Sequence, residues 1–143
     1  MTTADSNTGS DSTPEIPEEH FDATLGLEVL GATPDLVTAR VPVEQKIRQP
    51  FGIVHGGVYC SIAEAVASIG TWLGVRDDGK IAMGLANQTS FLRPISSGFI
   101  HASATPCHTG RTTWVWDVEM KDDEGRLAAV SRMTIAVRDL PTS

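Results

Sequence analysis

From Gln49 to Val75 the chain runs through 27 residues with one formally charged side chain, Glu64. Within that stretch Ile62, Val66, Ile69 and Leu73 recur at +4, +7 and +11. That spacing predicts a helix over 57–73 with one apolar face, about 25 Å long. Ala63, Ala65 and Ala67 keep it slim, and Gly74 suits its C-terminal cap. A surface helix carries several Lys or Glu residues, so this one is expected to be enclosed. Ser61, Glu64, Ser68 and Thr71, at 0, +3, +7 and +10, form a narrow polar stripe. A carboxylate on such a helix is costly unless it is paired, hydrated or useful. The plain alternative is a solvent-facing or ion-paired Glu64.

Around this helix the periodicity changes to that of strands. Leu25, Leu27 and Val29 predict a strand over 23–31, and 36–43 reads as a second, with 46–50 a loop. Four more follow near 80–93, 98–108, 111–121 and 126–138. In the third of these Trp114, Trp116, Val118 and Met120 share one face, and Asp122–Gly125 is a hairpin turn. In the fourth Leu127, Ala129, Ser131, Met133, Ile135 and Val137 share a face. Two strands, one long helix and four strands predict an α+β fold, a curved antiparallel sheet wrapped around one central helix. The 143 residues suit a single core. Residues 1–18 have no apolar period and predict a disordered acidic tail, leaving 19–143 as one domain.

Net charge is −7, yet residues 1–19 hold five acids and no base, leaving 13 acidic against 11 basic residues in the rest. The body lacks the basic excess of a nucleic-acid binder but can accept an anionic ligand. No segment reads as transmembrane or as a signal peptide, so no membrane partner is expected. Cys60 and Cys107 make no disulfide framework, which points to a cytoplasmic protein with free thiols.

Val54-His55-Gly56-Gly57 stands at the start of the predicted helix. Free N–H groups and the helix dipole favour negative charge there, and a developing oxyanion would suit the position. A plain glycine turn is the alternative. Gly56 and Glu64 lie about 12 Å apart along one helix, too far to touch one carbonyl. If both act on one bond they come from two copies of the chain, in a dimer with antiparallel helices and two equivalent sites.

The segment Gln49-Pro-Phe-Gly-Ile-Val-His-Gly-Gly-Val-Tyr-Cys-Ser-Ile-Ala-Glu-Ala-Val-Ala-Ser68 resembles the hotdog-fold acyl-CoA thioesterases. It is most similar to the PaaI-like branch, which includes 4-hydroxybenzoyl-CoA and 1,4-dihydroxy-2-naphthoyl-CoA thioesterases with a helix glutamate. The resemblance spans roughly residues 22–138. It implies a hotdog fold and hydrolysis of a thioester, preferably of an aromatic acyl group, to free acid and coenzyme A. It implies no cofactor beyond the coenzyme A of the substrate, and a homotetramer built as a dimer of dimers. Glu64 would be the nucleophile or the general base for water. The Gly56 N–H would polarise the carbonyl, with Gln49 assisting. His55 would help hold the site and the leaving thiolate, and Ser68 would orient water or the acyl group.

Coenzyme A brings phosphates. Phe91-Leu92-Arg93-Pro94 resembles the family's strand segment near the nucleotide, and His108-Thr109-Gly110-Arg111-Thr112-Thr113 its turn that grips pantetheine and phosphate. Arg93 and Arg111 are the phosphate candidates, with Arg138 weaker. Gly84 matches a position where pantetheine passes close to backbone.

Other signals fall away. Gly74-Val-Arg-Asp-Asp-Gly-Lys80 opens like a P-loop, but Ile81 replaces its Ser or Thr and a helix precedes it. His20, His55, His101 and His108 lack ligand-like spacing, so no metal is expected. Trp72, Trp114 and Trp116 read as core or interface, or as the wall of an aromatic acyl pocket. Two rival functions stay open: a non-catalytic acyl-CoA sensing module, and a hotdog enoyl-CoA hydratase, which would pair an Asp with a His.

Overall fold

The computed structural model describes residues 13–141. The elements run α1 (Phe21–Leu25), β1 (Glu28–Thr33), β2 (Leu36–Pro42), α2 (Gly56–Val75), β3 (Lys80–Phe91), β4 (Phe99–Thr109), β5 (Thr113–Lys121) and β6 (Leu127–Asp139). All six strands join one antiparallel sheet in the order β1-β2-β4-β5-β6-β3, with α2 packed on its concave face. This is the expected α+β hotdog architecture. The alternation in β5 holds, with Trp114, Trp116, Val118 and Met120 buried; in β6 Ala129, Ser131, Met133, Ile135 and Val137 are buried, but Leu127 is only part-buried and the small Ala128 and Ala136 are buried too. Of the segment expected as a tail, residues 1–12 lie outside the described residues, and Ile16 packs against the core.

Three local expectations change. The strand expected over 23–31 begins instead as the one-turn helix α1, and only Glu28–Thr33 is extended. Gly26, at φ 79°, turns the chain between them, so Leu25 and Leu27 still reach the same core. The loop expected over 46–50 opens with a 3-10 turn at Gln45–Ile47. The long helix does not stop at Gly74. It runs to Val75, a 3-10 turn follows at Arg76–Asp78, and Gly79 at φ 69° ends the run. Gly74 serves packing, because a Cβ there would overlap the Trp114 ring.

The sheet encloses α2 less completely than its composition predicts. Val58, Tyr59, Ile62, Ala63, Ala65, Val66 and Ala67 are buried, whereas Glu64 and Trp72 are exposed. The helix has the length and apolarity of a membrane span, but more than half of the apolar stretch is buried against the sheet. Thr71 leaves the expected polar stripe. It is fully buried, its Oγ1 donates to the Ala67 carbonyl (2.9 Å), and it accepts from Trp116 Nε1 (2.8 Å). Trp116 and Trp114 stack with centroids 6.1 Å apart under the helix, so both belong to the core. Trp72 lies outside it, beneath the Arg76 guanidinium.

Thr71→Val removes the only acceptor that the Trp116 N–H finds among the described residues. The orphaned buried donor is expected to cost about 1–3 kcal/mol in chemical denaturation, and Thr71→Ser restores most of it.

Candidate active site

The N-terminal end of α2 is built by the Gln49–Gly57 segment. His55 is the N-cap residue, and its Nδ1 accepts from the Gly57 N–H (2.9 Å). The chain enters the helix through Gly56, whose N–H has no partner among the described residues. Gln49 Oε1 accepts from the Phe51 N–H, leaving the amide NH2 group free to donate. Gln49, Gly56, Tyr59, Phe91 and Arg93 line a cavity of about 390 Å³. The His55 ring lines another of about 420 Å³ with Lys46 and Arg48. His55 thus lines a different cavity from Gln49 within one chain.

Two turns along α2 the wall changes. Glu64 and Ser68 line a cavity of about 340 Å³ with Phe21, Asp22, Ser61 and Ile69. Glu64 and Gly56 are therefore parts of separate cavities in one chain, in keeping with the 12 Å argument. No Lys, Arg or His pairs with Glu64 among the described residues. Its position is set by β3: a Cβ at Gly84 would lie 2.9 Å from Glu64 Cδ, inside contact distance. Gly84 thus makes room for the carboxylate.

A bulge between Gly84 and Ala86 offsets the alternation of β3, so Gly84 and Asn87 both face α2. Asn87 Nδ2 donates to the Cys60 carbonyl (2.8 Å), and Thr89 Oγ1 holds the Asn87 Oδ1 (2.7 Å). Phe91 then packs on Gly56 and on the Tyr59 ring. Gly56, Cys60 and Glu64 are thereby matched to Phe91, Asn87 and Gly84, an antiparallel row of contacts between helix and strand.

The expected coenzyme residues fall in two places. Leu92, Arg93 and Pro94 lie beside Gln49 and Gly56. Arg111 and Thr112 line a groove of about 410 Å³ with Lys80, Arg138 and Asp139. Arg138 Nη1 donates to the Thr112 and Val137 carbonyls, which fixes the guanidinium in that groove. Gly110 N–H donates to the Thr113 carbonyl (2.9 Å) and closes the turn that carries His108 and Thr109. No group of three His, Cys, Asp or Glu able to hold a metal occurs among the described residues.

Sequence reasoning missed Asp22, Tyr59 and Lys80. Burial pushes the Tyr59 hydroxyl up to about 12. Asp22 is half-buried; loss of solvent and then the nearby Glu64 charge raise its carboxyl above the usual carboxylate range, with His20 opposing. No sequence periodicity links Asp22 to Glu64, since a helix turn and two strands separate them. Lys80 carries a signal, its place at the end of the P-loop-like run.

Comparison with known proteins adds a family. The model of the thioesterase superfamily matches residues 51–129. The crystal structure of a Haemophilus influenzae thioesterase (EC 3.1.2.-) is similar at a TM-score of 0.80 and 36% identity, over 85% of this chain and 84% of that one. The 1,4-dihydroxy-2-naphthoyl-CoA hydrolase of Listeria monocytogenes is 35% identical over 115 residues, 80% of this chain and 93% of that protein. The proofreading thioesterase EntH of Cronobacter turicensis is 34% identical over 113 residues, 79% and 82% of the two chains.

The raised Asp22 pKa has a measurable consequence. A group whose pKa is raised on folding favours the native state below its unfolded pKa and loses that benefit as pH rises through the folded value. Asp22→Asn is expected to raise the Tm at pH 7, with the gain vanishing as thermal scans move to pH values below both pKa values.

Proposed function

Because the chain belongs to the thioesterase superfamily, we propose that it hydrolyses an acyl-CoA thioester, with an aromatic acyl group preferred, at a site shared by two copies. The observation that carries this reading is the row of contacts between α2 and β3. β3 is an edge of the sheet, and Met83, Leu85, Phe91 and Leu92 are exposed there. A long apolar edge is a template for another strand. Antiparallel pairing of two β3 edges, centred between Asn87 and Gln88, brings Gly84 of one copy opposite Phe91 of the other. Glu64 sits on Gly84 and Gly56 sits under Phe91. The pairing therefore carries the carboxylate of one copy toward the unpaired Gly56 N–H of its partner, and does so twice by symmetry. Two such dimers would make the expected tetramer.

In this site the partner's Gly56 N–H and Gln49 amide donate to the thioester oxygen. Glu64 acts on the carbonyl carbon, either by taking a proton from attacking water or by adding directly to give an anhydride that water then opens. In both routes negative charge on the oxygen is met by N–H groups at the helix start, the C–S bond breaks, and coenzyme A leaves as thiolate. Ser68, one turn beyond Glu64, is placed to orient water or the acyl group. Arg111 and Arg138 supply cations for the coenzyme phosphates, while Lys80 in the same groove is ion-paired with Asp139. No cofactor is required by this chemistry. Free Cys60 and Cys107 support a reducing, cytoplasmic setting.

Thiol release from a panel of acyl-CoA esters tests the reading. The wild type is expected to turn over aromatic esters, and Glu64→Gln to fall on the order of 10²–10⁴-fold. Full turnover by that variant, or tight ester binding without thiol release by the wild type, would overturn the assignment. Dimers purified with one Glu64→Ala and one Gln49→Ala subunit keep one intact site of two and should recover about half the wild-type rate. Gly84→Ala, which crowds the carboxylate, is expected to lower kcat about tenfold or more with little change in Tm.

A further inference from the structure

We infer that Asp22 is a specificity-determining residue of this site, selecting acyl groups that end in a hydrogen-bond donor over those that end in a carboxylate. The inference rests on the reading of Glu64 as the group that meets the thioester carbonyl. Asp22 comes from α1 and Glu64 from α2, and both line the same cavity of about 340 Å³. Phe21 and Ile69 give the cavity apolar walls, while Ser68 adds a hydroxyl beside Glu64.

Among the described residues the Asp22 side chain makes no hydrogen bond and no ion pair. Only its backbone carbonyl is engaged, accepting from the Leu27 N–H (3.1 Å). The charged groups acting on it are Glu64 and His20. A half-buried carboxyl set beside another carboxylate, with no partner in the chain, is a net cost to folding. The cost is removed when a ligand donor fills the vacant acceptor position. With Glu64 at the thioester carbon, the part of the acyl group that enters this cavity extends toward α1. Its far end meets Asp22.

The chemistry of that end follows. An ionised carboxyl only accepts hydrogen bonds, and a protonated one can still accept on its second oxygen. A hydroxyl or amine on the acyl group satisfies either form. A carboxylate on the acyl group is repelled by two acids in one small cavity. Asp22 lies away from the Gly56 end and has no part in bond breaking; it positions and selects.

Three esters of one shape separate the possibilities: benzoyl-CoA, 4-hydroxybenzoyl-CoA and 4-carboxybenzoyl-CoA. The wild type is expected to favour the hydroxyl ester in kcat/KM and to reject the carboxyl ester. Asp22→Ala should reduce the hydroxyl-to-hydrogen ratio about tenfold, the scale of one hydrogen bond to a charged group. Asp22→Asn should keep the hydroxyl preference while admitting the carboxyl ester. The same ratios are read as Kd values with thioether analogues that have a methylene between sulfur and carbonyl, which do not require turnover. An active wild type whose ratios survive Asp22→Ala in both assays overturns this inference and leaves the thioesterase reading intact. A wild type that releases no thiol from any acyl-CoA ester overturns the thioesterase reading. Analogue binding that loses its hydroxyl preference in Asp22→Ala would still support the place of Asp22 in the pocket.

Discussion

The contact between α2 and the edge strand β3 places Glu64 and Gly56 relative to the edge of the sheet. An apolar helix can hold a carboxylate only where the sheet leaves it room, and here the room is one missing side chain, at Gly84. The bulge beside Gly84 turns that gap toward the helix, and the Asn87 amide anchors the strand to the Cys60 carbonyl midway between Gly56 and Glu64. Glu64 is exposed in the single chain because β3 is the last strand of the sheet, with its outer hydrogen-bonding groups unused. The exposed acid and the exposed apolar edge are thus one feature. A second copy laid along β3 would cover both.

Charge is unevenly distributed over the described residues. Lys80, Arg111 and Arg138 gather at the groove between the β4–β5 turn and the ends of β3 and β6, with Asp139 paired to Lys80 there. Asp22 and Glu64 gather at the cavity under α1. A net charge of −7 conceals this separation, since the mean says nothing about where cations cluster.

Much of the fold was legible because its periodicities are strong. The alternation of β5 and of the middle of β6 survives in the burial pattern, and the long charge-poor run is the central helix. Errors came where local pattern and tertiary packing ask for the same residues. Leu25 and Leu27 alternate like strand residues, yet a helical turn and Gly26 deliver them to the same core. Gly74 looks like a cap because glycine ends helices, but here it yields space to Trp114. Thr71 looks like part of a polar stripe, but its hydroxyl satisfies a buried indole from a strand 45 residues away.

By itself the sequence determined that a single carboxylate rides on an apolar helix and that a glycine pair opens that helix. It also determined that the two lie too far apart to serve one bond within one chain. These are consequences of helical rise and of the cost of burying charge, and they need no coordinates. Only the tertiary structure decided that Gly84 lies against Glu64, that His55 and Gln49 line different cavities of one chain, and that Asp22 shares the Glu64 cavity. Those facts depend on how far a bulge shifts one strand and on which element crosses the open face of the helix. Such long-range placements leave no trace in local periodicity.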